Sequence, residues 1–185
     1  MNRRLLCRVL CCALFLPLTP AVTLAAQTTV MGVSAAQLCY DYATHGTSSA
    51  RRALETCTRA INDESLTTRD LAATYSNRGI IQAARGRFEL AIEDYDRSLA
   101  LNPTLVHAMI NRGNARTRLR QFKQALDDYD LAGFYSEGRN GLVFYNRAML
   151  FMQMGRIENA RADLLRALEL QPDSLRYREA LASLK

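Results

Sequence analysis

Beyond residue 26, Cys39 and Cys57 are the only cysteines, and His45 and His107 are the only histidines in the whole chain. A metal centre needs three or four such ligands brought close together, and this sequence does not supply them at suitable spacing. Nucleophilic catalysis fails on the same inventory. There is no G-x-S-x-G, no H-E-x-x-H, no phosphate-cradling Gly-rich loop and no paired C-x-x-C. The chain is therefore expected to be no enzyme, with no cofactor and no metal. Two cysteines left over in an exported chain read as a structural disulfide, Cys39 to Cys57.

Charged residues offer a second chemistry. An Asp stands sixteen residues after an Arg three times: Arg78 with Asp94, Arg112 with Asp128, and Arg147 with Asp163. Two readings fit. The arginines either form a ladder that binds carboxylates or phosphates of a ligand, or join helix to helix as internal ion pairs, which is the expected arrangement. The basic run Arg112, Arg116, Arg118, Arg120 and Lys123 is spread over different faces by helical geometry, and Asp127, Asp128 and Asp130 follow it. No nucleic-acid partner is expected from it.

These residues recur because the elements that carry them recur. A shift of 34 residues lays Asn77-Arg78-Gly79 on Asn111-Arg112-Gly113, Phe88 on Phe122, Ala91 on Ala125 and Asp94-Tyr95 on Asp128-Tyr129. A further shift of 35 reaches Asn146-Arg147-Ala148, Ile157, Ala160 and Asp163-Leu164. Such a period marks stacked units, none of which buries its apolar face alone. Gly86 and Gly155 end the first helix of their units, and Pro103 and Pro172 follow the second. Small residues such as Gly79 allow close helix approach, so a larger side chain there should overpack the hairpin.

With Gly79, Gly86, Phe88, Ala91, Tyr95 and Pro103 at their places in the first copy, the pattern resembles the tetratricopeptide repeat. The second copy keeps Gly113, Phe122, Ala125, Tyr129 and Ala132, with Arg120 where the first has Gly86. The third keeps Ala148, Gly155, Ile157, Ala160, Leu164, Ala167 and Pro172. The resemblance implies an all-α, right-handed α-solenoid of antiparallel helix pairs with a C-terminal capping helix. The expected organisation is a signal peptide over 1–26, an extension with a degenerate helical hairpin over 27–71, repeats over 72–105, 106–140 and 141–174, and a cap over 175–185. Asp173 or Ser174 is expected to cap the last helix. In the degenerate hairpin the resemblance makes Cys39 and Cys57 neighbours.

The resemblance further implies a concave groove lined by the first helix of each pair. Asn77, Asn111 and Asn146 share one position in it. An amide both donates and accepts, so such a row can hold the backbone of an extended peptide, or each Asn can bond its own helix backbone. Ile80, His107, Ile110, Asn114, Arg118, Tyr145 and Met149 complete the expected groove. The implied function is a non-catalytic scaffold that binds a peptide segment or partner protein there. The alternative is an envelope adaptor that uses the convex face or self-association.

Composition fits that reading. The chain has 185 residues, 49% of them apolar, with 24 basic and 18 acidic side chains and a formal charge of +6. Arg3, Arg4 and Arg8 precede an apolar run, Val9 to Leu18, and then small residues through Ala26, the layout of a secretory signal peptide cleaved after Ala25 or Ala26. Removing it leaves 21 basic against 18 acidic residues. No membrane span is expected in the mature chain, and the bacterial periplasm is the expected location.

Overall fold

A computed structural model describes residues 33–184, and the signal-peptide expectation over 1–26 lies outside them. Among the described residues there are nine helices and no strand. They are α1 (Ala35–His45), α2 (Ala50–Asp63), α3 (Thr68–Ala84), α4 (Phe88–Leu101), α5 (Val106–Arg118), α6 (Phe122–Tyr135), α7 (Gly141–Gln153), α8 (Ile157–Leu170) and α9 (Leu175–Ala182). No described helix is long and apolar enough to cross a membrane.

Local sequence sets the helix ends. Hydroxyl side chains accept from the first-turn amides: Ser34 from Gln37, Ser49 from Arg52, Thr67 from Asp70 and Ser174 from Tyr177. Each such cap satisfies an amide that the helix cannot. The caps at Ser34 and Thr67 explain why α1 and α3 start where they do. At the starts of α4, α6 and α8, inside the three later hairpins, there is no such cap. The turn is closed by the backbone instead, through Arg87 N–H to Gln82 O, Gln121 N–H to Arg116 O and Arg156 N–H to Phe151 O at 3.1, 2.9 and 2.9 Å. Each of these turns passes through one left-handed residue, Gly86 (φ 73°), Arg120 (φ 61°) or Gly155 (φ 72°).

Within each hairpin one close approach decides the packing. A Cβ on Gly79 would lie 2.6 Å from the Tyr95 ring, and one on Gly113 would lie 2.8 Å from the Tyr129 ring. Both rings are 1% exposed. The third hairpin replaces the pair by Ala148 and Leu164, both fully buried. Ala91, Ala125 and Ala160, also fully buried, keep the second helices close. Between hairpins, Leu99, Met109, Ile110, Tyr129, Val143 and Leu150 build a continuous core.

Both ends of the stack are closed. Cys39 and Cys57 form a disulfide across α1 and α2, with a Cα–Cα distance of 4.9 Å and no exposure of either residue. The Glu64 carboxylate accepts the Ala35 and Ala36 amides at 2.6 and 3.1 Å, which fixes the start of α1 against the end of α2. At the other end Leu184 packs with Ala148, Ala160 and Leu164, beside Leu181. Glu137 (φ 52°) and Gly138 (φ 64°) are two successive left-handed residues in the α6–α7 connection, where the second and third copies are separated by an extra residue.

Candidate functional site

First helices touch first helices. α1 packs on α3, α3 on α5 and α5 on α7, whereas among the described residues no contact of comparable extent joins α2 to α4, α4 to α6 or α6 to α8. A stack whose first helices converge and whose second helices diverge is curved, with the first helices on its inner face. That face is the candidate groove.

The arginines stand behind it. Arg78 donates from Nε and Nη2 to Asp94 at 3.0 and 2.6 Å, Arg112 does the same to Asp128 at 3.0 and 2.6 Å, and Arg147 to Asp163 at 2.8 and 2.8 Å. The three carboxylates are 1% to 7% exposed. These forks are charge-assisted and two-pronged, and they join the two helices of a hairpin. The Asp94 hydrogen bonds hold the Arg78 guanidinium above its ordinary pKa against the opposing pull of burial, and Asp163 does the same for Arg147.

The remaining nitrogen of each fork reaches the hairpin before. Arg112 Nη1 meets Asp96 and Arg147 Nη1 meets Asp130, each at 2.5 Å. Arg78 Nη1 meets only the Thr58 hydroxyl, at 3.0 Å. Each arginine is therefore a three-helix clamp, and Arg116 adds a fourth link by donating to Asp128 at 2.8 Å. The sequence analysis assigns neither Asp96 nor Asp130 as an arginine partner, although their 34-residue separation carries the signal. With their guanidiniums committed inward, the arginines are not a ligand ladder.

The asparagines are free of such ties. Among the described residues no hydrogen bond joins the side chains of Asn77, Asn111 or Asn146 to any protein group, although all three are half-buried. The helix-backbone role considered for them is not what the structure shows. Asn114 differs, because its Oδ1 accepts from the buried Tyr129 hydroxyl at 2.7 Å. That bond orients the amide and leaves its N–H donors to face outward.

The inner face is divided into crevices. Asn77 lies with Gln37, Tyr40 and Asp70 in one of about 320 Å³ between α1 and α3. Ile80, Asn111, Asn114 and Arg118 share another of about 160 Å³ between α3 and α5. Asn114, Arg118, Asn146 and Met149 share a third of about 300 Å³ between α5 and α7. Three expected groove residues are elsewhere. Ile110 is 1% exposed and belongs to the core, because its position on α5 turns it toward Tyr129 and Val143. Tyr145 stacks on Tyr177 of α9 at 5.1 Å with the Arg176 guanidinium 4.7 Å from its ring, so it joins the cap to α7. His107 is exposed at the start of α5 and lines none of these crevices. Among the described residues no group of His, Cys, Asp and Glu could hold a metal ion.

The family model for the tetratricopeptide repeat matches residues 72–105 and 142–174. The chain carries tetratricopeptide repeats in these two stretches. Its α3–α4 and α7–α8 hairpins fall in the two matched stretches. Among curated relatives, human tetratricopeptide repeat protein 6 is 36% identical over 74 residues, which is 40% of this chain and 14% of the relative. Mouse sperm-associated antigen 1 is 32% identical over 89 residues, 48% of this chain and 10% of the relative. The chain thus spans a small part of the curated relatives it matches. Among solved structures, a tetratricopeptide repeat protein from Parabacteroides merdae superposes with a TM-score of 0.67 at 26% identity, covering 83% of this chain and 59% of that one. The first repeat domain of Spaghetti (RPAP3), solved bound to an HSP90 peptide, gives 0.58 at 24% identity, covering 61% and 91%.

Proposed function

We propose that this repeat protein is a non-catalytic scaffold that holds an extended segment of a partner protein on its concave face. The observation that carries the reading is the row Asn77, Asn111 and Asn146. Three equivalent amides sit half-buried on successive first helices without a protein partner, and a peptide backbone supplies the donors and acceptors they lack. Peptide binding by the Spaghetti (RPAP3) domain supports it. The groove side chains offer no nucleophile–base pair or metal set, and the clamped arginines leave no ladder for nucleic-acid phosphates.

The same reading places the protein outside the cytosol, in the bacterial periplasm. The buried Cys39–Cys57 bond supports an oxidising compartment, and the Arg3–Ala26 layout supports export. Fractionation of cells expressing the tagged chain tests this, and recovery in the cytosol with an uncleaved leader would sink it.

Changing Asn77, Asn111 and Asn146 together to Ala tests the groove. The expected result is loss of the partner in crosslinking pull-downs from the native envelope with an unchanged melting temperature; an undiminished partner would contradict it.

A second reading has its own observation. Leu131, Phe134 and Tyr135 form an exposed apolar strip on α6, with Phe134 76% exposed. This strip supports an adaptor role for the convex face or self-association. Phe134→Ser would abolish the partner on that reading and spare it on the first.

A further inference from the structure

This inference rests on the groove reading and concerns what the groove selects. Three crevices lie side by side across the C-terminal halves of α1, α3, α5 and α7. The first, of about 260 Å³ between α1 and α3, is lined by Tyr42, Ile80, Ala84 and Arg85 among others. Ile80 continues into the α3–α5 crevice with Ala83 and Phe88. Arg118 and Asn114 continue from there into the α5–α7 crevice beside Met149. Shared residues therefore make one trough with three depressions.

Its charge is one-sided. Among the described residues no Asp or Glu lines any of the three depressions, and the only charged groups are Arg85 and Arg118. Arg118 has no carboxylate within ion-pair distance, unlike the buried clamps, and its guanidinium lies over the Phe88 ring at 5.4 Å. Stacking of this kind orients a guanidinium while leaving its edge free to donate.

Each depression lies between two neighbouring first helices, so the step from one to the next follows the distance between packed helix axes. Axes of packed helices are about 8–10 Å apart. A polyproline II helix rises about 3.1 Å per residue with three residues per turn, so every third side chain points the same way after about 9 Å. A β-strand alternates faces with a period of two and would turn each third side chain away. Polyproline II also leaves its backbone groups without internal hydrogen bonds, open to amides such as Asn111 and Asn146.

We propose that the trough takes a polyproline II-like segment of a partner protein with an apolar side chain at every third residue and a carboxylate between the second and third, received by Arg118. A free chain terminus is not required.

Screening a bead library of ten-residue peptides, N-acetylated and C-amidated, against the purified full chain tests this. The expected selection is apolar residues at every third position with Asp or Glu between them. Labelled winners should lose about tenfold in affinity on Arg118→Ala, as for one charge-assisted contact, while Gln-for-Glu versions should be insensitive to it. Circular dichroism of the variant checks its fold. Winners with another spacing, or basic ones, that are lost in the triple Asn variant would overturn this inference and leave the groove reading standing. Winners insensitive to both variants, or none at all, would overturn both.

Discussion

At the scale of single residues, two contacts explain most of the hairpin's economy of space. Gly79 and Gly113 are glycine because a tyrosine ring occupies the site of their Cβ. Ala in place of Gly gains up to about 1 kcal/mol in a helix interior, but overpacking a buried site costs about 1–3 kcal/mol. Gly79→Ala is therefore expected to lower the denaturant midpoint. Adding Tyr95→Leu, which copies the Ala148–Leu164 pair of the third hairpin, should recover part of the loss; strict additivity of the two changes would show that the contact is not the cause. Asp128 is the second case, since it is 1% exposed and receives both Arg112 and Arg116. Removing one partner of a buried pair costs about 3–5 kcal/mol. Asp128→Asn should fall near that range in urea melts, and a loss below about 1 kcal/mol would show the clamp to be solvated, as for a surface pair. The sixteen-residue spacing made the own-hairpin partner legible. The partner on the preceding hairpin was not, because that contact depends on how hairpins stack.

Helices and turns show what local sequence fixes and what it leaves to packing. Gly86 and Gly155 announced their turns, and the structure has left-handed residues there. Arg120 adopts the same conformation without being glycine, at a cost of about 1–2 kcal/mol for an L-residue. Arg120→Gly is expected to raise stability by up to about 1 kcal/mol, after the larger chain entropy of Gly in the unfolded state is allowed for. An unchanged or lower melting temperature would mean that the Arg120 side chain, 5.9 Å from the Phe122 ring, offsets the strain. Placement of Ile110 shows the limit of reading by position. A residue at a groove position on one helix faces the core on another when its neighbours, here Tyr129 and Val143, leave room for it. Tyr145 departs from its expected groove place for a related reason: the cap α9 brings Tyr177 and Arg176 onto its ring, and the repeat pattern does not specify that contact.

The described helices form a one-dimensional stack, whose stability depends on neighbour contacts and on its ends. Cys39 and Cys57, eighteen residues apart in sequence, close the first hairpin. A loop of that size is worth about 3 kcal/mol in the entropy model. Cys39→Ser with Cys57→Ser should therefore loosen α1 and α2 in hydrogen exchange while α5 to α8 keep their protection; uniform loss along the chain would show one cooperative unit instead. High pH tests the buried phenols across hairpins. Burial pushes the Tyr129 hydroxyl up to about 12 and Tyr95 up as well, against an unfolded value of about 10. A folded-state pKa above the unfolded one gives stability that is complete below about pH 10 and is lost as pH rises through the folded value. The melting temperature should be insensitive to these groups at neutral pH and should fall between about pH 10 and 12, less steeply in Tyr129→Phe. The succession of helix pairs was legible in the 34-residue period and the inner face in the family resemblance, whereas the selection exerted by that face lies in the residues that vary from copy to copy.

Site-specific photocrosslinking in cells tests the central claim most directly, with benzoylphenylalanine placed at Asn111 in the groove and, separately, at Phe134 on the outer face. A partner band from position 111 and none from position 134 is the predicted result. A band from position 134 alone would contradict the groove as the binding surface.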